Sequence, residues 1–394
     1  MELEQESSET PVNKPKRARL NNLDALRFLA ANAVIAHHLE QTKSMCGLHA
    51  YWDNPVLPPL GPCGVQFFFV LSGFIITYML LNEKHDTGTI DLKRFYIRRA
   101  LRIWPLYYLM VGLAFFAVPF MIHFPEDSLL GFYQVNLRDN FWHFIPYYVF
   151  FLPNFAILPL TPVIGASQLW SLGVEEQFYL IWPILLRIFA KVPLLSFIFV
   201  LLIRYLLIAY CIQNHLDNPN YIINRWSADC FAVGGVTAYT FVCTNGGTAW
   251  PSKKELLNLV IAVVPAFLLI VNSFAWEPGL YLMEGSAAVI FFAARSRAWG
   301  GLYGLMEKMG KYSYGIYMYH PVVLNFLLSL MIHMPFKDND FALWILNGLT
   351  FGLTWLCAWY SYNYYELPFL KLKEKWEYRK PSIQQLEAVP ANGS

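Results

Sequence analysis

The sequence predicts an all-α fold, a polytopic membrane helix bundle of about ten transmembrane helices plus one re-entrant or interfacial segment. Hydrophobic residues make up 56% of the 394 residues and charged residues only 14%, and the mean hydropathy is +0.38. Apolar runs long enough to cross a bilayer also recur along the whole chain. This composition excludes a large soluble core and is typical of a helical membrane protein.

Each predicted span is an apolar run of roughly spanning length. In chain order the runs fall near 23–40, 64–82, 104–122, 172–190, 193–212, 227–243, 255–273, 279–295, 312–332 and 341–365. The stretch 141–160 is also apolar, but Pro146, Pro153 and Pro159 interrupt it. Because proline breaks helix interiors, this stretch is predicted to be the re-entrant or interfacial segment.

Lysine and arginine are unevenly distributed among the segments between the spans. With the N-terminus in the cytosol, most of the 29 Lys and Arg residues fall on the cytosolic side. Those that fall outside are Lys43, Arg138, Arg225 and Lys337, while Arg27 and Arg204 lie within spans. By the positive-inside rule both termini are cytosolic, in a multi-pass protein of the plasma or inner cell membrane.

The two ends of the chain are polar and flank one membrane domain. We expect a polar cytosolic tail over 1–21, a membrane domain over 22–370 and a basic, then polar, cytosolic tail over 371–394. The opening MELEQESSET has no basic n-region. The first span is therefore expected to act as its own anchor, without a cleaved signal peptide.

The first span, LDALRFLAANAVIAHHLE, carries several ionisable residues on an otherwise apolar helix. Arg27 and His38 are eleven residues apart, close to three full turns, so they share one face at a separation of ~16 Å. Asp24, one turn before Arg27, joins that face. Ionisable groups within a span usually face a protein interior or a water-filled cavity. The alternative is that these polar groups only hold the helix to its neighbours.

An arginine cluster lies at the cytosolic mouth of the third span, in FYIRRALRIWPLYYL. Arg98 and Arg102 are one helical turn apart, and Arg99 lies three residues before Arg102. Guanidinium forks suit phosphate groups. The cluster could equally be a topology signal that contacts anionic lipid headgroups.

The fourth span begins with LWSLGVEEQFYLIWP. Ser171, Glu175 and Tyr179 follow one another at i, i+4 spacing and so form one stripe, with Glu176 beside it. Carboxylates that enter a membrane are functional candidates. Helix capping by Ser171 is the alternative, since acidic residues also favour helix N-termini.

The ninth span begins within MGKYSYGIYMYHP. Ser313 lies at its entrance and His320 about one-third of the way along it. A single histidine on an aromatic helix is more often a hydrogen-bonded structural residue than a catalyst. The residues of this stretch therefore indicate no role by themselves.

The cysteines indicate neither a metal site nor a disulfide framework. No CxxC or Cys/His spacing typical of metal ligands occurs, so no metal is expected. Cys46 and Cys63 flank the first external loop and could pair in an oxidising compartment. Spacing alone leaves that disulfide open.

These stretches together resemble the acyltransferase-3 family of integral membrane acyltransferases, over roughly Asn22 to Leu370. The signatures occur in the order typical of the family. The first is LDxLR, in which ten residues separate Arg27 from the motif histidine, His38. The others are GVQFFFVLSGFII, RRALRIWPLYY, WSLGVEEQFYLIWP and GKYSYGIYMYH. The family's usual Gly after Leu-Asp is Ala25 here, and a second histidine, His37, replaces the common aromatic before the motif histidine. The register assigns the motif histidine to His38.

The resemblance implies an enzyme that transfers an acyl group, most often acetyl, from cytosolic acyl-CoA to an extracytoplasmic hydroxyl. The acceptor is expected to be a carbohydrate or glycolipid, with no permanently bound cofactor and no nucleic-acid partner. It also implies three sets of site residues: catalytic His38, Arg27, Asp24 and Glu175, with His38 as general base; Arg98, Arg99 and Arg102 for acyl-CoA; and Ser171, Glu176, Tyr179, Ser313 and His320 for the acceptor or for support.

Two other functions fit parts of the sequence. A membrane transporter would also bury ionisable residues in its spans, although the two halves show no convincing internal repeat. An acyltransferase with a lipid acceptor is the other, since His333 and Asp338 match an HxxxxD pattern. Acyl chain length, acyl-enzyme formation and oligomeric state stay open at this point.

Overall fold

The computed structural model describes residues 20, 22–156, 161–244, 278–297, 300–337 and 339–377. Every regular element in these ranges is a helix, which confirms the predicted all-α class. In chain order the α-helices are α1 Leu23–Met45, α2 Leu57–Thr87, α3 Leu92–Gly112, α4 Val118–Met121, α5 Leu129–Asp139, α6 Phe141–Val149, α7 Pro153–Ala156, α8 Leu169–Ile188, α9 Leu194–Gln213, α10 Asp217–Arg225, α11 Ala228–Cys243, α12 Pro278–Arg295, α13 Gly301–Gly310, α14 Ser313–Met331, α15 Asp340–Tyr360 and α16 Leu367–Glu374. π-Helical turns at Leu113–Ala117 and Ser361–Glu366 join α3 to α4 and α15 to α16.

Within the described ranges, four continuous helical segments are long and apolar enough to cross a membrane. They are Leu57–Thr87, Leu92–Met121, Leu194–Gln213 and Asp340–Glu374. Other predicted spans also coincide with helices, namely α1, α8, α11, α12 and α14. Helix α11 has only 16 residues, and α1 carries ionisable side chains along its length. The count of ten spans stays a prediction, and its seventh span, 255–273, lies outside the described residues.

Over its described part, 141–156, the proline-rich stretch divides into two short helices, while Pro159 lies outside the described residues. Helix α6 ends at Val149 and α7 begins at Pro153, and Phe151 between them has a left-handed backbone, with φ 58°. The predicted interruption of the helix is therefore confirmed, but it lies between Val149 and Pro153 and not at Pro146. Pro146 lies inside α6, so the predicted break at this proline is wrong.

The backbones of α2 and α11 approach closely because glycines lie at their contact. A Cβ atom on Gly234 would meet the Val70 carbonyl oxygen, and one on Gly73 would meet the Phe231 backbone. Small residues at such crossings allow membrane helices to pack through direct backbone contact. The adjoining aromatic core includes Phe231 stacked on Phe178, with ring centroids 4.1 Å apart.

Helix α1 is central to the bundle, since α2, α13, α14 and α15 all contact it. Its Ala25, Ala31 and Val34 are fully buried. The amide of Asn22, just before the helix, donates to the Ala293 carbonyl oxygen over 3.1 Å. The helix that carries the first predicted site residues is thus enclosed by later parts of the chain.

Several charged residues inside the bundle form ion pairs. Buried pairs join Arg98 to Glu83 at 3.0 Å, Lys43 to Glu40 at 2.6 Å and Arg204 to Asp229 at 3.7 Å. Opposite charges reduce the cost of burying each group, whereas removing one partner leaves the other uncompensated.

Candidate functional site

Two cavities meet inside the helix bundle. The first, of about 110 Å³, is called the arginine cavity because Arg27, Arg99 and Arg102 line it. The second, of about 580 Å³, is called the histidine cavity because His37 and His38 line it. Three residues line both cavities and form the wall between them: Val65, Phe69 and Tyr317.

The guanidinium groups of the arginine cavity come from α1 and α3. Arg27 donates to Asp24 over 2.6 Å, the pairing that their i, i+3 spacing predicts. Arg99 lies over the Tyr179 ring at 5.5 Å from the centroid. Among the described residues, Arg102 has no ion-pair or hydrogen-bond partner. Guanidinium groups that line a cavity without carboxylate partners suit an anionic ligand.

A triangle of polar side chains forms another wall of the arginine cavity. Glu175 accepts from the Ser72 hydroxyl at 3.1 Å and from the Tyr179 hydroxyl at 2.8 Å. The Tyr179 hydroxyl also lies 3.2 Å from Ser72 Oγ. Ser171, Glu175 and Tyr179 all line this cavity, so the predicted stripe is confirmed as one face. Sequence reasoning missed Ser72, although it lies inside the conspicuous VLSGF stretch of the second span.

His38 contacts His320, which lies far from it in the sequence. His38 Nδ1 is 2.9 Å from His320 Nε2, and His320 Nδ1 is 2.7 Å from the Tyr317 carbonyl oxygen. A carbonyl oxygen only accepts, so His320 Nδ1 is the donor and, in the neutral ring, Nε2 is an acceptor. His38 Nδ1 must then donate. This leaves His38 Nε2 unprotonated, in a ring that lines the histidine cavity.

Tyr317 links the histidine pair to the wall between the cavities. Its hydroxyl lies 2.6 Å from Ser171 Oγ, and Ser313, Tyr317 and His320 follow at i, i+4 and i+7 on α14. Sequence analysis missed Tyr317, and this periodicity was the available signal. Ser171 does not cap α8, since Gln168 precedes the helix and Ser171 lies in its first turn. The alternative interpretation, in which Ser171 caps this helix, is therefore wrong.

Four predicted site residues line neither cavity: Asp24, Arg98, Glu176 and His320. Asp24 and His320 contact lining residues, Arg27 and His38, whereas Arg98 and Glu176 have other partners. Arg98 pairs with Glu83 and donates to the Trp376 carbonyl oxygen at 3.1 Å. Glu176 accepts from the Trp104 indole N–H at 3.1 Å. Neighbouring helical residues point about 100° apart, so Arg98 and Glu176 face other partners than Arg99 and Glu175 do. The roles of Arg98 in acyl-CoA binding and of Glu176 in acceptor binding or support therefore stay predictions.

The described part of the chain contains no cluster of three or more His, Cys, Asp or Glu side chains that could hold a metal ion. Cys46 and Cys63 are free thiols. The chemistry available at the cavities is therefore an anion site of arginines next to an imidazole with a free lone pair. This combination can bind an anionic donor and deprotonate a hydroxyl.

Comparison with known proteins relates this site to acyl transfer. A family profile described as an acyltransferase domain matches residues 20–363. Peptidoglycan O-acetyltransferase OatA of Listeria monocytogenes is 28% identical over 381 residues, covering 90% of this chain and 56% of that protein. O-acetyltransferase OatA of Staphylococcus aureus is 28% identical over 388 residues, covering 89% of this chain and 57% of that protein. The chain thus spans somewhat more than half the length of these relatives. No solved structure matches it.

Proposed function

The chain belongs to the acyltransferase-3 family, and on this premise we propose that it transfers an acetyl group from cytosolic acetyl-CoA to a hydroxyl of an extracytoplasmic carbohydrate. The observation that carries the proposal is the shared wall between the arginine cavity and the histidine cavity. A donor bound on one side and an acceptor bound on the other would meet at this wall. The names of the bacterial relatives, both O-acetyltransferases, support the acetyl group and the carbohydrate class.

The positive-inside rule supports the orientation of the two cavities. The three arginines and Ser313 of the arginine cavity lie in the first half of α1, α3 or α14, and the rule assigns the starts of these helices to the cytosol. Ser171, at the start of α8, extends the same cavity towards the opposite side. The histidine cavity is lined by residues at the end of α1 and around α10, on the opposite side. Acetyl-CoA would enter the first cavity from the cytosol, and the acceptor would enter the second from outside.

Donor binding depends on charge. Arg99 and Arg102 would hold the phosphates of CoA through charge-assisted hydrogen bonds. Arg27, fixed by Asp24, lies on α1 and would set the electrostatics nearer the thioester. Glu175 holds Ser72 and Tyr179 in place at the same cavity and, through Tyr179, the ring beneath Arg99.

Transfer would use His38 as general base. Its Nε2 accepts the proton of the acceptor hydroxyl while the hydroxyl oxygen forms a bond to the thioester carbonyl carbon. The carbon–sulfur bond then breaks, and the CoA thiolate recovers the proton from His38. His320 Nε2 accepts from His38 Nδ1 throughout and so stabilises the imidazolium that forms between these steps. The Tyr317 hydroxyl, on the shared wall, would have to exchange its hydrogen bonds to Ser171 and the Gln168 carbonyl oxygen for one to the developing oxyanion.

Mass spectrometry of surface glycans tests this function. Cells that express the chain should carry acetyl esters that are absent from cells without it and from cells with the His38→Ala variant at equal membrane abundance. Purified protein in proteoliposomes should release free CoA from acetyl-CoA when the acceptor is supplied. Identical glycans in all three cell lines, or no CoA release with extracted surface glycan, would contradict acyl transfer and favour a transporter.

A further inference from the structure

The wall between the two cavities bears on the size of the acyl group. Val65, Phe69 and Tyr317 line both cavities, and the exposed fractions of their side chains are only 7%, 1% and 8%. Val65 and Phe69 lie one helical turn apart on α2 and so share a face. With donor and acceptor on opposite sides, the thioester carbonyl carbon can reach the acceptor hydroxyl only between these three side chains.

The two aromatic rings of the wall are fixed by their neighbours. The ring of Phe69 contacts Phe231 with centroids 4.9 Å apart and meets the Trp170 ring edge-on at 6.2 Å. The ring of Tyr317 meets Phe68 in the same manner at 5.9 Å. Side chains packed in this way give way to an extra methylene group only at a cost. The rings therefore do not move aside freely for a longer acyl chain.

The backbone that carries Val65 is also held in place. A Cβ atom on the preceding residue, Gly64, would meet a Val34 methyl group at 2.7 Å and the Ala30 carbonyl oxygen at 2.9 Å. Helices α1 and α2 are thus in close contact one residue before the wall. Because neither helix can shift without losing this contact, the width of the passage beside Val65 depends on its two methyl groups.

From these contacts we infer that the wall restricts the donor to acetyl-CoA and that Val65 sets the limit. A longer acyl chain has no suitable place on either side. The arginine cavity, of about 110 Å³, must also receive part of CoA, and a chain that extended into the histidine cavity would occupy the space of the acceptor. The inference rests on the proposed function, because it places the thioester at the wall.

Two donors test the inference in full-length protein reconstituted in proteoliposomes. Acetyl-CoA and propionyl-CoA, which differ by one methylene group, are supplied with glycan extracted from the surface of cells that lack the protein. CoA release gives kcat/KM for each donor, and mass spectrometry identifies the ester formed on the glycan. The variants are Val65→Ala, which widens the passage, and Val65→Ile, which narrows it. Val70→Ala is the matched control, since Val70 is a fully buried valine of α2 that lines neither cavity.

The wild type should prefer acetyl-CoA to propionyl-CoA by about tenfold or more in kcat/KM, the usual discrimination for one methylene group in an apolar site. Val65→Ala should lower this ratio about tenfold, because the two lost methyl groups leave room for the added one. Val65→Ile should raise the ratio, and Val70→Ala should keep it at the wild-type value.

Equal use of both donors by the wild type, or a ratio that changes as much in Val70→Ala as in Val65→Ala, would overturn the inference but leave acyl transfer intact. A wild-type ratio in Val65→Ala at normal membrane abundance would do the same. If Val65→Ala does not fold, the ratio in Val65→Ile decides, and an unchanged value there overturns the inference. CoA release from neither donor would instead contradict the proposed function.

Discussion

His38 Nδ1 and His320 Nε2 lie 2.9 Å apart, although 282 residues separate them in the chain. The Tyr317 carbonyl oxygen fixes the proton of His320 on Nδ1, and the direction of the hydrogen bond between the two rings follows. The outcome is one imidazole nitrogen, His38 Nε2, that is free to accept a proton. Several measurements follow from this arrangement and from the arginine cavity.

Replacing His38 by Ala should lower kcat for acetyl transfer by about 10²–10⁴-fold, the usual contribution of a general base. His37→Ala should keep most of the activity, because His37 contacts the Leu57 carbonyl oxygen, the Trp52 ring and the His38 ring, whereas the hydrogen bond that orients His38 is made with His320. Initial rates of CoA release measure both variants, with membrane abundance as the control. Equal losses in the two variants, or full activity in His38→Ala, would refute the assignment of the base.

His320 should act by positioning His38. We expect His320→Leu to lower kcat about a hundredfold, since His38 Nδ1 would lose its acceptor, and to leave acetyl-CoA affinity unchanged. In His320→Gln the side-chain oxygen can replace Nε2 as acceptor, so this variant should recover a large part of the rate. The pH dependence of kcat/KM should shift in His320→Leu and return towards the wild type in His320→Gln. Equal losses of activity in His320→Leu and His320→Gln, with the pH profile of the wild type, would show that His320 has a packing role and does not position His38.

The arginines of the donor site should separate into two kinetic classes. Arg99→Ala and Arg102→Ala should each raise KM for acetyl-CoA about tenfold or more with kcat nearly intact, because contacts to CoA phosphates stabilise the bound ground state and transition state alike. Arg27→Ala should lower kcat itself, since the proposed function assigns Arg27, oriented by Asp24, to the electrostatics around the thioester. Isothermal titration with a non-hydrolysable acetyl-CoA analogue in detergent measures the affinity directly.

Arg98 provides the matched comparison for these arginines. Because Arg98 pairs with buried Glu83, Arg98→Ala should destabilise the fold by about 3–5 kcal/mol and lower the unfolding temperature in detergent. Arg99→Ala and Arg102→Ala should change that temperature much less. Unchanged acetyl-CoA affinity in the Arg99→Ala, Arg102→Ala double variant would show that the phosphates bind elsewhere and that both residues serve topology alone.

The orientation of the two cavities can be measured by cysteine labelling. In a variant without the six native cysteines, single cysteines at Asp217 and Asn339 should react with impermeant maleimides added outside intact cells. A cysteine at Lys253 should react only after permeabilisation, as the positive-inside rule predicts. The reverse pattern would place the arginine cavity outside and remove cytosolic acetyl-CoA as the donor.

The sequence by itself determined the features that depend on local chemistry. Composition and apolar run length identify a helical membrane protein, because a segment that crosses a bilayer must be apolar and long enough to span its hydrocarbon core. The Asp24–Arg27 pair and the stripe of Ser171, Glu175 and Tyr179 follow from helical periodicity, which acts over three or four residues. The proline-rich stretch after Phe141 is less predictable, since Pro146 stays inside a helix while Pro153 begins one.

The tertiary structure decided which residues form a common site. Arg27 and His38 share a face of α1, as their spacing predicts, yet they line different cavities because residues of α2 and α14 form a wall between them. Arg98 and Arg99 are adjacent in the chain, but only Arg99 faces a cavity, since Glu83 lies beside Arg98. The partner of His38 lies on a helix 282 residues away. Helical periodicity gives the direction in which a side chain leaves its own helix. Which residues it contacts depends on how all the other helices pack around that helix.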